Sequence, residues 1–391
     1  MNMPALRFKD DDVLKSWKED NLLNLSVDGF TNGVFNDPNK AGSGYKLINV
    51  LDMYIDSTIN EKRLSLVGLS DAEFKRNKVE HGEIFFTRSS LVKEGIAKSN
   101  VYLGHSQDIT FDGHLIRMCP KKEVLNSVFT NYLLRTSKVR KQLVARGKTA
   151  TMTTIGQADI AAVMITFPSL REQTKIAKFL SAVDEKISFL TQKHDLLTQY
   201  KKGVMQQIFS QELRFKDDDG QDFPEWEEAG FDELFYVANN KKIQIKSSDY
   251  LEQGNTPIVD QGQKHIVGYT NNTEIYKDVP VIIFGDHTRI LKWIDFVFAS
   301  GADGTQLLKS TDKLNLKFGY YALCHIELPN LGYSRHMKEL KNQFIIIPTS
   351  IVEQTKIANF LTAIDDKITA TQAQLKAVKQ YKQGLLQQMF V

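Results

Sequence analysis

The stretch 169–209 returns 181 residues later as 350–390, with about half of its residues unchanged. Both copies begin Glu-Gln-Thr-Lys-Ile-Ala (172–177 and 353–358). Both close on Tyr-Lys-(Lys/Gln)-Gly-x-x-Gln-Gln-x-Phe, at Phe209 and Phe390. A repeat of this length and fidelity is one structural unit used twice. The segments ahead of the two copies show no visible match, so the chain joins a duplicated element to two unlike bodies.

The duplicated element reads as helix. Ser169-x-x-Glu172 and Ser350-x-x-Glu353 have capping-box spacing, in which the serine accepts a first-turn amide and the glutamate reaches back. Apolar residues then follow steps of four and three: Ile176, Leu180, Val183, Ile187, Leu190, Leu197, Val204 and Ile208 in one copy. Ile357, Leu361, Ile364, Ile368, Leu375, Val378, Leu385 and Met389 do so in the other. That alternation predicts a coiled-coil seam. No proline interrupts either copy, and forty residues of helix span about 60 Å. A seam left in water is unfavourable, and the partner nearest to hand is the other copy. Two like units in one polypeptide then pack antiparallel about a pseudo-twofold. A homodimeric coiled coil that uses each copy separately is the other arrangement compatible with the pattern. His194 stands at a seam position held by Leu375 in the second copy and predicts a polar layer. Gly203 and Gly384, inside helices where glycine costs about 1 kcal/mol, predict close approach of a neighbouring helix, from the paired copy or from another subunit.

A shorter repeat supports the same plan. Leu6-Arg7-Phe8-Lys9-Asp10-Asp11-Asp12 returns at 213–219, followed in each case by a tryptophan, Trp17 and Trp226. Each unit therefore runs leader, globular domain, long helix, and the acidic leaders read as solvated connectors. The predicted borders are 1–167, 168–210, 211–347 and 348–391. The class is α+β: two mixed α/β domains separated by two long helices packed as an antiparallel intramolecular coiled coil. Strands are predicted over 46–50, 83–87 and 163–167 in the first domain and over 257–259, 281–284 and 344–347 in the second. Helices are predicted within 124–144 and over 317–324.

Hydrophobic content of 42% and charged content of 25% suit packed cores. A net charge of +3 neither demands nor excludes nucleic acid. Cys119 and Cys324 lie in unrelated contexts and read as reduced core thiols. With no signal-like segment and no apolar run of membrane-spanning length, the chain is expected in the cytoplasm, away from membranes.

Motifs for catalysis are missing. Gly147-Lys148-Thr149 resembles the end of a phosphate-binding loop, but the required upstream glycine position holds Gln142. Gly42-Ser43-Gly44 lacks the third glycine of a dinucleotide fingerprint. No two prolines are adjacent, so the Pro-Pro-aromatic motif of amino-methyltransferases is absent. Asp184-Glu185-Lys186 and Asp365-Asp366-Lys367 look like nuclease triads but fall mid-helix, where a solvated face is expected. The histidines do not cluster at metal spacings. No catalytic residue, metal site or cofactor is predicted for this chain.

What stands out instead is basic and hydroxyl-rich. Arg135, Lys138, Arg140, Lys141, Arg146 and Lys148 precede Thr149, Thr151, Thr153 and Thr154. In the second domain Gly332-Tyr333-Ser334-Arg335-His336-Met337-Lys338 occupies the equivalent place, just before the last strand. Cations with hydroxyls suit phosphate oxygens, and a solvated amphipathic helix followed by a polar loop fits the same residues.

Together these features resemble the DNA-specificity subunit of Type I restriction–modification enzymes. The resemblance rests on Pro-Ser-Leu-Arg-Glu-Gln-Thr-Lys-Ile-Ala at 168–177, on Thr-Ser-Ile-Val-Glu-Gln-Thr-Lys-Ile-Ala at 349–358 and on the two Gln-Gln-x-Phe ends. It extends to 82–90, Val259-Asp260-Gln261-Gly262-Gln263, Ile283-Phe284-Gly285-Asp286-His287-Thr288-Arg289 and the Ser334-Arg335-His336 turn. The first domain lacks the Gly-Asp-His-Thr and Ser-Arg-His patterns of the second.

The resemblance implies two target-recognition domains, each reading half of a bipartite asymmetric duplex, and helices that set the gap. It implies docking of two modification (methyltransferase) subunits that use S-adenosylmethionine, and of restriction subunits that use ATP and Mg2+. DNA contacts are then expected at Arg88, Ser89, Arg146, Lys148, Thr149, Thr151, Gln261, Gln263, His287, Thr288, Arg289, Ser334, Arg335, His336 and Lys338. Helix pairing or subunit docking is expected at Ile176, Leu180, Val183, Ile187, Gly203, Ile357, Leu361, Ile364, Ile368 and Gly384. The alternative reading is a coiled-coil adaptor displaying two protein-binding domains.

Overall fold

The structure, a computed structural model, describes residues 4–8, 16–35, 38–55, 58–301, 304–332 and 334–390. Lys9, Asp10, Asp11 and Asp12 of the first leader and Tyr333 of the second basic turn lie outside them. The repeats form two unbroken helices, the central helix Leu170–Phe209 and the C-terminal helix Ile351–Met389. Ser169 and Ser350 Oγ accept from the amides of Glu172 and Glu353, so both serines cap as the sequence predicts.

Two compact units result. Unit 1 comprises Met1–Thr191 with Gln374–Val391, and unit 2 comprises Gln192–Ala373. Each thus holds the start of one long helix and the end of the other, which is an antiparallel pairing. In unit 1, Ile176, Leu180 and Val183 share a buried core with Leu385, Met389 and Phe390; Ile187 and Val378 pack at its edge. In unit 2, Ile357, Leu361 and Ile364 are buried with Val204 and Ile208, and Ile368 flanks them. An ion pair recurs with its roles exchanged: Asp184–Lys382 at 2.6 Å in unit 1 and Lys201–Asp365 at 2.6 Å in unit 2.

The globular parts repeat each other although their sequences do not. Unit 1 has an antiparallel sheet in the order Ser26–Asn32, Leu115–Pro120, Ile84–Thr87, Ser99–Val101. Unit 2 has the order Phe235–Val237, Thr305–Ser310, Val281–Gly285, Leu291–Ile294. In both, the chain visits the strands first, fourth, second, third. The inner strands Ile84-Phe85-Phe86 and Val281-Ile282-Ile283-Phe284 are buried on both faces, which is why they read as unbroken apolar runs. A second sheet also recurs, with Ala41–Ile48 parallel to Ile109–Phe111 and Thr256–Val259 parallel to Ala299–Gly301.

The helical segment predicted within 124–144 is two helices, Ser127–Leu134 and Ser137–Arg146. Thr136 is extended (φ −67°, ψ 154°) and its hydroxyl donates to Leu133 O, ending one helix and opening the next.

The unchanged residues of the repeat fasten each globular part to its helix. Gln173 is fully buried: its Oε1 accepts from Asn126 N–H and its Nε2 donates to Val124 O and Pro168 O. Gln354 does the same to Asn315, Lys313 and Pro348. Asp184 accepts from Tyr132 Oη at 2.6 Å and Asp365 from Tyr321 Oη at 2.8 Å. These aspartates therefore do not belong to the solvated face expected of them; each is held between a tyrosine and a lysine. Hydrogen bonding to the carboxylate and burial together raise both tyrosine pKa values, burial foremost.

The leaders are not free connectors where described. Arg7 grips Glu172 bidentately (Nε–Oε1 3.0 Å, Nη2–Oε2 2.7 Å), with both side chains nearly sealed from solvent. Arg214 meets Glu353, which also accepts from Trp226 Nε1. Phe8 stands edge-on to Phe179, and Phe215 to Phe360. Asp218 takes Lys356 Nζ at 2.7 Å.

Candidate nucleic-acid interface

In unit 1 the predicted residues converge on one small antiparallel sheet. The strand Ile84–Thr87 delivers Arg88, whose N–H donates to His114 O and whose carbonyl accepts from Ile155. Ser89–Ser90 then pairs with Thr153–Thr154, which pairs with Lys148–Thr149. Residues far apart in sequence so become neighbours: Ser89 faces Thr154 and Lys148 faces Thr154 from the other side. Thr149 and Thr153 share a hydroxyl hydrogen bond of 2.9 Å. Arg88, Lys148, Thr149, Thr151 and Thr154 are exposed and Ser89 is half-buried. Lys148 is 80% exposed, with Asp159 at 3.7 Å.

The arginines of the basic stretch are placed differently from the expectation. Arg146 donates to Gln142 O and Ala162 O. Arg140 donates to Glu94 O, Ile96 O and Ala97 O, and burial lowers its pKa. Arg135 donates to Ser99 O. These guanidiniums satisfy backbone carbonyls of neighbouring segments, which would be costly to leave without donors. Ser90 and Thr154 complete the surface over the buried Thr153, and only the strand pairing identifies Ser90 as part of it.

In unit 2 three loops meet around Asp286, which is 2% exposed. Its Oδ1 accepts from Met337 N–H at 2.7 Å, and its carbonyl accepts from His336 N–H and from His336 Nδ1. His336 Nε2 accepts from Leu331 N–H. His336 is thus fully buried and ties the 331–337 loop to the end of the strand Val281–Gly285. Its side chain presents no surface of its own. Beside it Arg335 is 71% exposed, its Nε 4.0 Å from Asp286 Oδ2.

Gln261 Oε1 accepts from His287 N–H, and Gln261 O accepts from Thr288 Oγ1. Arg289 adopts φ +61° and donates to Leu328 O, so it also shapes the loop. Lys292, 6% exposed, donates to Asp260 O (2.7 Å) and Lys264 O (2.6 Å), bracketing the turn that carries Gln261 and Gln263. Burial lowers the Lys292 pKa and Asp260 opposes that shift. Nothing in the sequence marks Lys292, an alternating strand residue facing inward. Gln263, Thr288, Ser334, Arg335 and Lys338 are exposed and His287 is half-buried.

The close neighbour expected at Gly203 and Gly384, either the paired copy or a modification subunit, is not the paired copy. A Cβ at either would meet no atom within 4 Å among the described residues.

A family model of the Type I restriction modification DNA specificity domain matches residues 55–199 and 224–380. A putative type I restriction enzyme MjaX specificity subunit of Methanocaldococcus jannaschii is 23% identical over 96% of this chain and 93% of its own length. The type I restriction enzyme EcoR124I/EcoR124II specificity subunit of Escherichia coli is 32% identical over 39% of this chain and 40% of its own length. The crystal structure of a Type-I restriction-modification system S subunit from M. genitalium superposes with a TM-score of 0.67, at 16% identity, over 100% of this chain and 99% of that one. The chain belongs to the Type I restriction–modification DNA specificity family and is a non-catalytic specificity subunit with two recognition domains.

Proposed function

We propose that each globular part reads one half of a bipartite, asymmetric double-stranded DNA sequence, and that the long helices fix the unread gap and dock the modification subunits. The observation that carries this reading is the pair of identical strand orders bearing different exposed loops. Unit 1 presents Arg88, Ser89, Lys148, Thr149 and Thr151, and unit 2 presents Gln263, Thr288, Ser334, Arg335 and Lys338. Arginine, lysine and glutamine reach base edges, while hydroxyls and lysines suit phosphates. Unlike loops imply unlike half-sites. In this reading the recognition domains occupy 1–167 and 211–347, and 168–210 with 348–391 form the connecting and docking helices. Two modification subunits supply S-adenosylmethionine chemistry, restriction subunits supply ATP- and Mg2+-dependent cleavage, and the assembly works in the cytoplasm.

Docking on the helices is supported by where the repeat stayed unchanged. Gln199, Tyr200, Gly203, Gln206 and Gln207 form one stripe of the central helix and recur as Gln380, Tyr381, Gly384, Gln387 and Gln388. Their side chains face outward, Tyr200 being 52% and Tyr381 53% exposed. Core packing does not account for identity at exposed positions, whereas the same partner docking twice does.

The test is methylation of a randomised duplex library by the complex with its modification subunits. Arg335→Ala is expected to relax one base pair of one half-site by roughly tenfold or more and leave the other half-site as stringent as before. Equal relaxation of both halves overturns the modular reading, and methylation without sequence preference favours the adaptor.

A further inference from the structure

The reading surface of unit 1 carries a feature that hydrogen-bond donors and cations do not explain. Leu91 is 87% exposed, Val92 61% and Met152 41%. Leu91 directly follows Ser90, and Met152 directly precedes Thr153, its partner in the ladder. The antiparallel register therefore brings Leu91 and Met152 to the same end of the three-stranded sheet. They sit among polar groups: the segments 88–95 and 146–154 hold four cations, Arg88, Lys93, Arg146 and Lys148, against one carboxylate, Glu94. Local hydrogen bonds fix the backbone beneath them. Val92 N–H donates to Ser90 Oγ, Gly95 N–H to Val92 O, and Ala150 N–H to Met152 O. The tip is thus a shaped turn with its apolar side chains outward.

Resting on the reading of unit 1 as a DNA-recognition domain, we propose that Leu91, with Met152 beside it, is a specificity determinant that contacts the C5-methyl group of a thymine in the major groove. The surrounding cations fit a polyanion, which selects duplex DNA as the occupant over an apolar protein groove. Within the major groove the thymine methyl is the apolar mark on a base edge, and aliphatic side chains are what recognise it. The hairpin 148–154 of this sheet is a two-stranded ribbon of the width that groove admits, placing hydroxyls and lysine toward the backbone while the tip, with Leu91 beside it, reaches the bases.

The experiment uses the complete complex with its modification subunits. Its recognition sequence is first read from the methylated positions of a random library. Duplexes are then made with each thymine of the unit 1 half-site replaced, one at a time, by deoxyuridine, which removes the methyl group alone. One replacement is expected to weaken binding by the wild-type complex about three- to fivefold, the value of one buried methyl-sized group. Leu91→Ala is expected to bind the thymine and deoxyuridine duplexes equally, and Met152→Ala to show a smaller difference than wild type. Deoxyuridine in the other half-site serves as the control and is unaffected by either substitution.

A half-site without thymine, no penalty at any thymine, or the same penalty in wild type and Leu91→Ala overturns the proposal. Loss of the modification subunits from Leu91→Ala on size exclusion also overturns it, and assigns the tip to a protein contact. Failure of the underlying reading looks different: the complex then shows no sequence preference before any thymine is replaced.

Discussion

Glu172 and Glu353 hold the same place in the repeat, yet their arginines live in different surroundings. Arg7 and Glu172 are nearly sealed, at 4% and 3% side-chain exposure. Arg214 keeps 21% exposure and also donates to Phe223 O and Pro224 O. Deleting one partner of a sealed ion pair leaves the other charge poorly solvated and costs about 3–5 kcal/mol. Glu172→Ala is therefore expected to unfold unit 1 at markedly lower denaturant, while Asp218→Ala, which breaks the exposed pair with Lys356, is milder. Equal midpoints for the two variants in a fluorescence-monitored urea titration would contradict this. Cys119 makes a second residue-scale case. Burial, with the Glu83 carboxylate 3.1 Å from its Sγ, pushes the Cys119 thiol up to about 12. At pH 8 its thiolate fraction falls about three orders of magnitude below that of a free cysteine, and higher basicity restores one to two of them. Alkylation of Cys119 in the native protein is expected to run on the order of fiftyfold slower than in urea, a ratio that mass spectrometry after timed quenching measures.

At the scale of single elements, the two long helices were legible because three signals agreed: the serine caps, the apolar seam and the absence of proline. Legibility stopped where a residue's partner is distant in sequence. Glu172 carries the spacing of a capping box, and nothing local announces that Arg7 will claim its carboxylate. The strand Ile84–Thr87 was readable from its apolar run, but Ser89–Ser90 and Thr153–Thr154 are too short to leave a period and exist only through pairing. Likewise the basic stretch 135–148 displays its cations without revealing that Arg135, Arg140 and Arg146 face carbonyls. Gly203 offers an element-scale test. Its φ is helical and its Cβ direction is open, so Gly203→Ala is expected to raise stability by up to about 1 kcal/mol. The same substitution fills the notch of the proposed docking stripe and is expected to weaken retention of the modification subunit on co-purification. A stabilised variant that retains its partner fully would remove Gly203 from the docking surface.

Over the whole molecule, the duplicated plan was visible in the repeat, and the matching architecture of the two recognition domains was not. Strand order is set by long-range pairing of segments whose loops differ in length, so similarity of sheets survives where similarity of sequence does not. If the helices set the gap, their length converts directly into base pairs. A heptad adds about 10.5 Å of helix, close to three base-pair steps of about 3.4 Å. Insertion of seven seam-matched residues into the middle of both helices is expected to shift the methylated target to a gap about three base pairs longer with both half-sites unchanged. An unchanged gap in the sequenced methylation sites would dismiss the measuring role.

Unit 1 closes its core with Leu385, Met389 and Phe390, which follow the whole of unit 2 in the chain. The recognition domain made first thus cannot finish folding until the chain has been made as far as Phe390, whereas unit 2 needs nothing beyond Ala373. A stop codon shortly after Ala373 would therefore cripple unit 1 and spare unit 2.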